Sequence, residues 1–215
     1  MAVDATQARI PSDSADASGT AAALAAVIVT HELDRRPDRP ADHAAENAAI
    51  HRVMAGMAVS REAGLLALAE AGADLTGAAS AGVSLLVRDG GQATLRWEAV
   101  AGRLAGYGGQ TLPRHDSPCG AVLDRNEALL LRSPQQVFPA LAALDPPVSE
   151  WLAQPLYRDG LPTGTLWAVS HDPRRRFCAE DARLLDSLAR LASLAYQLRC
   201  VADDALTLNE ALSGT

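Results

Sequence analysis

Cys119 lies in the run Ser117-Pro118-Cys119-Gly120, the setting in this chain best suited to a reactive side chain. Ser followed by Pro reads as a helix N-cap and first helical position. Cys119 then falls in the first helical turn, where the helix dipole and free backbone N–H groups favour a thiolate, so a lowered thiol pKa is expected. Arg114 and His115 just upstream add positive charge. Such a thiol could sense redox state, attach a ligand covalently or bind a metal. The alternative is a small apolar residue packed beneath a tight turn. His115 and His171 are the only histidines of the strand-rich region. With Cys119 they would offer three ligands to a transition metal, although their spacing matches no metal motif. The aromatic residues are scarce, at 4%. Trp97 and Trp167 on candidate strands, and Tyr107 in a glycine-rich stretch, could stack on a planar ligand or simply fill the core. Trp151 opens a strand and is expected at the sheet edge.

Composition removes several chemistries. All 19 basic residues are Arg, and there is no Lys. Schiff-base chemistry, the Walker phosphate loop and the kinase ATP site all need a lysine and are excluded. A net charge of −7 argues against a nucleic-acid surface, and Arg174-Arg175-Arg176 reads as a solvated turn. The three cysteines have no CxxC spacing, which fits free thiols in a reducing compartment. The first residues carry neither a basic nor an apolar leader region, and no run of about 18 apolar residues occurs, so no signal peptide and no membrane span are expected. A cytoplasmic location follows as the expectation. No GxSxG elbow and no HExxH occur, so familiar hydrolases have no support.

The elements that would position these residues follow from periodicity. Residues 1–19 read as a disordered arm, 20–34 as an apolar stretch, helix or strand undecided, and 35–42 as a linker broken by prolines. Asp42 caps a helix through about Ala58, and a second helix runs from Arg61 to about Thr76, ending at Gly77. Residues 82–88 and 93–101 form a hairpin around Asp89-Gly90-Gly91. Residues 102–117 are a glycine-rich connection. A short helix from Pro118 to about Arg125, a strand from Ala128 to Leu131 and a second hairpin, Trp151–Tyr157 with Thr163–Ser170, follow. The last helix runs from Ala179 to about Cys200, with Leu184, Leu188, Leu191, Ala195 and Leu198 spaced 4-3-4-3, the pattern of a dimer seam or of a helix packed on its own sheet. Helices at both ends and strands between them indicate an α+β fold.

The segments AGVSLL (81–86), GGQTLPRHDSPCGAVLDRNEALLL (108–131) and LPTGTLWAVSHDPRRRFCAEDARLLDSLARLAS (161–193) together resemble a GAF domain over residues 42–200. The likeness is strongest to sensory GAF regions of bacterial histidine kinases and related signalling proteins. It implies a six-stranded antiparallel sheet, with terminal helices on one face and a loop-covered small-molecule pocket on the other. The family also includes the free methionine-R-sulfoxide reductase, which has a supporting Cys-Gly at the equivalent helix start. Its catalytic Cys precedes a later strand, where this chain has PPVSEWLAQP (146–155) and no Cys. Cys119 is followed by Gly120 rather than His, unlike bilin-binding GAF domains. The lysine of the cyclic-nucleotide-binding set is missing.

The division expected is an arm and linker over 1–41, a GAF domain over 42–200 and a tail over 201–215. The function expected is a sensor module, not an enzyme, that binds an unidentified small molecule and signals through a helical homodimer to a histidine kinase or other output module, with no nucleic-acid or membrane partner. Its ligand residues would be Trp97, Tyr107, His115, Cys119, Trp167 and His171. No cofactor is indicated. The alternatives are a thiol-based redox sensor or reductase-like enzyme using Cys119, and a ligand-free dimerisation module.

Overall fold

Side chains alternate across the strands, and the alternation splits the interior into two apolar clusters, one on each side of a single sheet. The computed structural model describes residues 17–89 and 92–213. The first sixteen residues of the expected arm, Gly90-Gly91 of the first turn and the last two residues of the expected tail lie outside that range.

Six antiparallel strands form the sheet: β1 Ser80–Asp89, β2 Gln92–Gly102, β3 Thr111–Pro113, β4 Leu129–Arg132, β5 Glu150–Arg158 and β6 Leu161–Ser170, in the order β3-β2-β1-β6-β5-β4. Both hairpins fall where the Asp-Gly pairs place them. In the second, Asp159 and Gly160 both take positive φ, 52° and 75°, as a tight two-residue turn requires. Strand β3 was not anticipated within the glycine-rich connection. It is only three residues long and pairs with β2 through Thr94–Arg96, so no periodicity could reveal it.

Helices α2 (His43–Val59), α3 (Arg61–Thr76) and α5 (Ala179–Ser213) cover one face. Asp42 and Ser60 cap the first two through Ala45 N and Ala63 N, and Gly77 ends α3 in the left-handed region. The close approach of α2 to α3 needs Gly64, where a Cβ would lie 2.3 Å from the Met57 sulfur. Leu184, Leu188 and Ala195 of the 4-3-4-3 stripe are buried in this chain's own core beside Leu185, Ala189 and Ala192. The first half of the stripe therefore serves the sheet. Helix α5 also continues to Ser213, beyond the end expected near Cys200.

Residues 17–41 of the expected arm and linker contain α1 (Ala17–Val27) and a 3₁₀ turn at Thr30–Arg35. Ile28 bridges Leu131, and Val29 N donates to Leu130 O at 2.8 Å, which covers the open edge of β4. Val27 joins the cluster on one face of the sheet and Val29 the cluster on the other. The physical reason is the unpaired strand edge, which this segment satisfies and which no local pattern announces.

Candidate functional site

The second face is covered by α4 (Pro118–Arg125) and by the segments around residues 103–117 and 133–149. Strand register assembles its centre. Ser84 pairs with Trp97 on one side and with Thr165 on the other, and Trp151 pairs with Val169 two residues from Trp167. A bulge at Val83/Ser84 sets Glu98 aside and brings Trp97 onto this face. The three indoles touch, with centroids 5.9 Å apart for Trp97–Trp151, 5.0 Å for Trp97–Trp167 and 4.7 Å for Trp151–Trp167. All three are essentially inaccessible to solvent. Trp151, expected at an edge, lies on an interior strand because β4 pairs outside β5.

Ser84 is the polar pivot of this cluster. Its Oγ accepts from Trp167 Nε1 at 2.9 Å and from the Cys119 thiol at 3.5 Å. Ser117 caps α4 as expected, through Gly120 N at 3.0 Å, and places Cys119 in the first turn. The expected thiolate does not follow. Burial pushes the Cys119 thiol up to about 11, against the smaller downward pull of the Ser84 and Thr165 hydroxyls. Desolvation outweighs the helix terminus because the sulfur is shut into an apolar cluster. Cys178 is also raised, first by burial, and is held near Asp181.

Tyr107 and His171 tie the covering segments together. The Tyr107 hydroxyl donates to Ala143 O at 3.4 Å and accepts from Asp145 N at 3.0 Å, so it bridges the two loops. His171 Nδ1 lies 3.0 Å from Pro147 O, and Nε2 lies 2.9 Å from Ser80 Oγ. A carbonyl only accepts, so Nδ1 carries the proton, and the neutral ring accepts at Nε2 from the Ser80 hydroxyl. Ser80 Oγ in turn accepts from Leu104 N at 3.1 Å. Burial lowers the His171 pKa. His115 is not brought to this cluster. It is exposed and lines an open groove with Gln92, Thr94 and Asp124.

Of the six residues singled out in the sequence, the structure therefore gathers Trp97, Trp167 and Cys119 in one buried cluster and sets Tyr107 and His171 in its cover. Ser84, Thr165 and Trp151 were missed. Ser84 and Thr165 stand out only as polar residues inside the apolar runs GVSLLV and TGTLWAV. Among the described residues, no three His, Cys, Asp or Glu side chains converge as a metal site, and no helix is long and apolar enough to cross a membrane.

The GAF domain family model matches residues 58–197. Solved structures with the same fold include the GAF domain of an Acinetobacter phosphoenolpyruvate-protein phosphotransferase, 18% identical with a TM-score of 0.58 over 70% of this chain and 91% of that one. The GAF-B domain of DevS from Mycobacterium smegmatis is 24% identical, with a TM-score of 0.54 over 66% of this chain and 96% of that one. The free methionine-R-sulfoxide reductase of Neisseria meningitidis, solved with its substrate, is 20% identical, with a TM-score of 0.57 over 77% of this chain and 97% of that one. At these identities the likeness is one of fold. No curated protein sequence matches the chain.

Proposed function

The chain belongs to the GAF domain family, and from that premise we propose that it is a cytoplasmic sensory module that binds a small molecule on the loop-covered face and passes the state of that face to α5. The observation that carries this reading is the Tyr107 clasp. One hydroxyl joins the two segments that cover the tryptophan cluster. A molecule that favours one arrangement of these loops shifts their equilibrium by the difference in its affinity for the two arrangements. Trp97, Trp167 and Cys119 form the floor of the site, with Tyr107 and His171 in its cover; His115 lies outside it.

The route to α5 is direct. Strand β6 carries Trp167 on one face and Leu166 on the other, and Leu166 belongs to the core that buries Leu184, Leu185 and Leu188 of α5. Past the sheet-packed half of α5, Val201, Ala205, Leu208 and Leu212 continue at 4-3-4 spacing, which supports a helical homodimer and the coupling of a histidine kinase or other output module.

Native mass spectrometry of freshly purified protein tests the reading. A dimer carrying extra mass, lost or weakened in Tyr107→Phe, is the expected result. A monomer, or a dimer without extra mass in which Tyr107→Phe and Cys119→Ala leave the tryptophan emission and the fold unchanged, would sink it. The second reading, thiol redox chemistry at Cys119, is disfavoured by the raised thiol pKa.

A further inference from the structure

Strand β4 pairs with β5 only as far as Leu129–Ala153, so Gln154 to Arg158 have no strand beside them on that edge. In its place lies an open cleft of about 550 Å³ between the α4–β4 corner, β5 and α5, whose lining includes Asn126, Glu127, Gln154, Tyr157, Asp186 and Arg190. That volume lies in the roughly 300–1,000 Å³ range of small-molecule sites. The bare edge is a poor template for an added strand. Pro155 brings no N–H to it, and Tyr157 N already donates to Ser193 Oγ at 2.9 Å.

Gln154 is the buried polar side chain of the cleft, only 6% exposed. It shares a face of β5 with Leu152 and Leu156, which belong to the helix-side core. Its Nε2 donates to Ala182 O of α5 at 3.2 Å. A carbonyl only accepts, so this contact fixes the amide with its nitrogen toward α5 and Oε1 turned away. Oε1 accepts no hydrogen bond among the described residues, and the cleft is the open space that this side chain lines.

The rest of the lining also favours a ligand that donates. The Tyr157 hydroxyl spends its proton on Asn126 Oδ1 at 2.9 Å. Arg190 gives Nε to Asp186 Oδ2 at 2.7 Å. Glu127 has a looser pairing, 3.7 Å, with Arg125. Within the lining, two carboxylates therefore face one guanidinium, and that guanidinium is engaged. An anion entering here meets carboxylates and a cation already paired, whereas a cation with N–H groups meets acceptors.

We infer that this cleft binds a small molecule carrying a primary ammonium group, which donates to Gln154 Oε1 while the Glu127 and Asp186 carboxylates supply the counter-charge. The site lies on the helix side of the sheet, across from the tryptophan cluster, and does not depend on the reading of the loop-covered face. A molecule held there lies against β5 and α5 at once.

The test uses the full chain and two probes of equal length, 1,4-diaminobutane and 1,4-butanediol, at neutral pH and low ionic strength. The diamine is expected to bind about tenfold tighter than the diol, the ratio set by one hydrogen bond to a charged group. It should shift the NMR signals of the Gln154 side-chain amide and of residues 126–128 and 186–190, and leave the Trp97 indole unmoved. Gln154→Met leaves the net charge unchanged and should cost the diamine several-fold in affinity. Glu127→Gln, at an exposed corner, should also weaken it several-fold, and it decides if Gln154→Met fails to fold. Equal binding of the two probes overturns the ligand class. Diamine binding that neither substitution weakens is diffuse attraction to a chain of net charge −7 and overturns the site. Shifts at the tryptophan cluster in place of the cleft residues overturn its location.

Discussion

Arg36 holds Glu150 through both carboxylate oxygens, with Nη1 3.0 Å from Oε2 and Nη2 2.8 Å from Oε1. Glu150 is 1% exposed at the start of β5, and it also accepts from Phe177 N at 3.0 Å just before α5. One carboxylate thus fastens the segment that precedes α2, the sheet and the lead-in to α5. Asp38 continues the link by accepting from Glu180 N at 3.0 Å in the first turn of α5. Replacing Arg36 leaves a buried carboxylate short of its closest partner. Arg36→Met is expected to lower stability by about 2–4 kcal/mol, read from urea unfolding. A loss below about 1 kcal/mol would mean that Arg132 and Arg176 can compensate.

Acid should weaken the helix layer through Glu46. Arg183 holds this buried carboxylate at about 2, well below its ordinary 4.5, with burial opposing. Arg183 Nη2 reaches Glu46 Oε2 at 2.8 Å and so joins α5 to α2. The folded pKa is depressed, so the stabilisation is complete above about 4.5 and is lost as pH falls toward 2. Glu32, lowered to about 2 chiefly by Arg36 and then Arg132, acts in the same window. Urea midpoints between pH 5 and 2.5 should fall steeply for the natural chain and less steeply for Glu46→Gln; parallel curves would refute the assignment.

His171 adds a second, milder pH dependence. Its pKa is lowered, first by burial, so the folded protein prefers the neutral ring. The unfolded chain binds the proton more readily, and stability therefore declines as pH drops from about 6.5 through the folded value. The nitrogen that must gain the proton is Nε2, which accepts from Ser80. His171→Gln should flatten the stability profile between pH 7 and 5. Histidine NMR titration that places the His171 pKa above 6.5 would reverse the sign.

Gly82 is the point at which the tryptophan cluster meets the sheet most tightly. A Cβ there would lie 2.3 Å from Trp167 Cζ2 and 2.7 Å from the Ala99 carbonyl oxygen. The indole is locked by its neighbours and the carbonyl by the strand pair, so neither yields cheaply. Gly82→Ala is expected to cost about 1–3 kcal/mol and to alter tryptophan emission. An unchanged spectrum with unchanged stability would show that the cluster is looser than its packing implies.

Cys119 should be inert in the folded protein. With the thiol at about 11 and 1% exposed, alkylation by iodoacetamide at pH 8 is expected to be orders of magnitude slower than for a small free thiol. Mass mapping after brief labelling checks this. Rapid modification of Cys119 in the native state would restore the redox reading.

Much of the fold is legible in the residues because its signals are local. Asp42 and Ser117 can be recognised as caps, Gly77 as a helix end and Asp159-Gly160 as a hairpin, since each conformation is dictated by side chains within a few positions. The GAF pattern in segments 81–86, 108–131 and 161–193 adds the six-stranded arrangement. Helix α5 is legible too, but not its use. The apolar stripe from Leu184 to Ala195 fits a dimer seam and a sheet-facing side equally well, and only the position of the sheet decides between them.

The residues by themselves determined helices α2 to α5 and every strand but β3, and they excluded lysine chemistry outright. The chemistry of the candidate site was decided by tertiary structure. The first-turn position of Cys119 favours ionisation, but the protonation state follows from the dielectric around the sulfur, and that is set by the apolar cluster that includes Trp97, Trp151 and Trp167, far along the chain. Still longer stretches of sequence separate Arg36 from Glu150 and Ser84 from Trp167. A long-range contact leaves no periodicity at either end, so it exists only once the strands have taken their register.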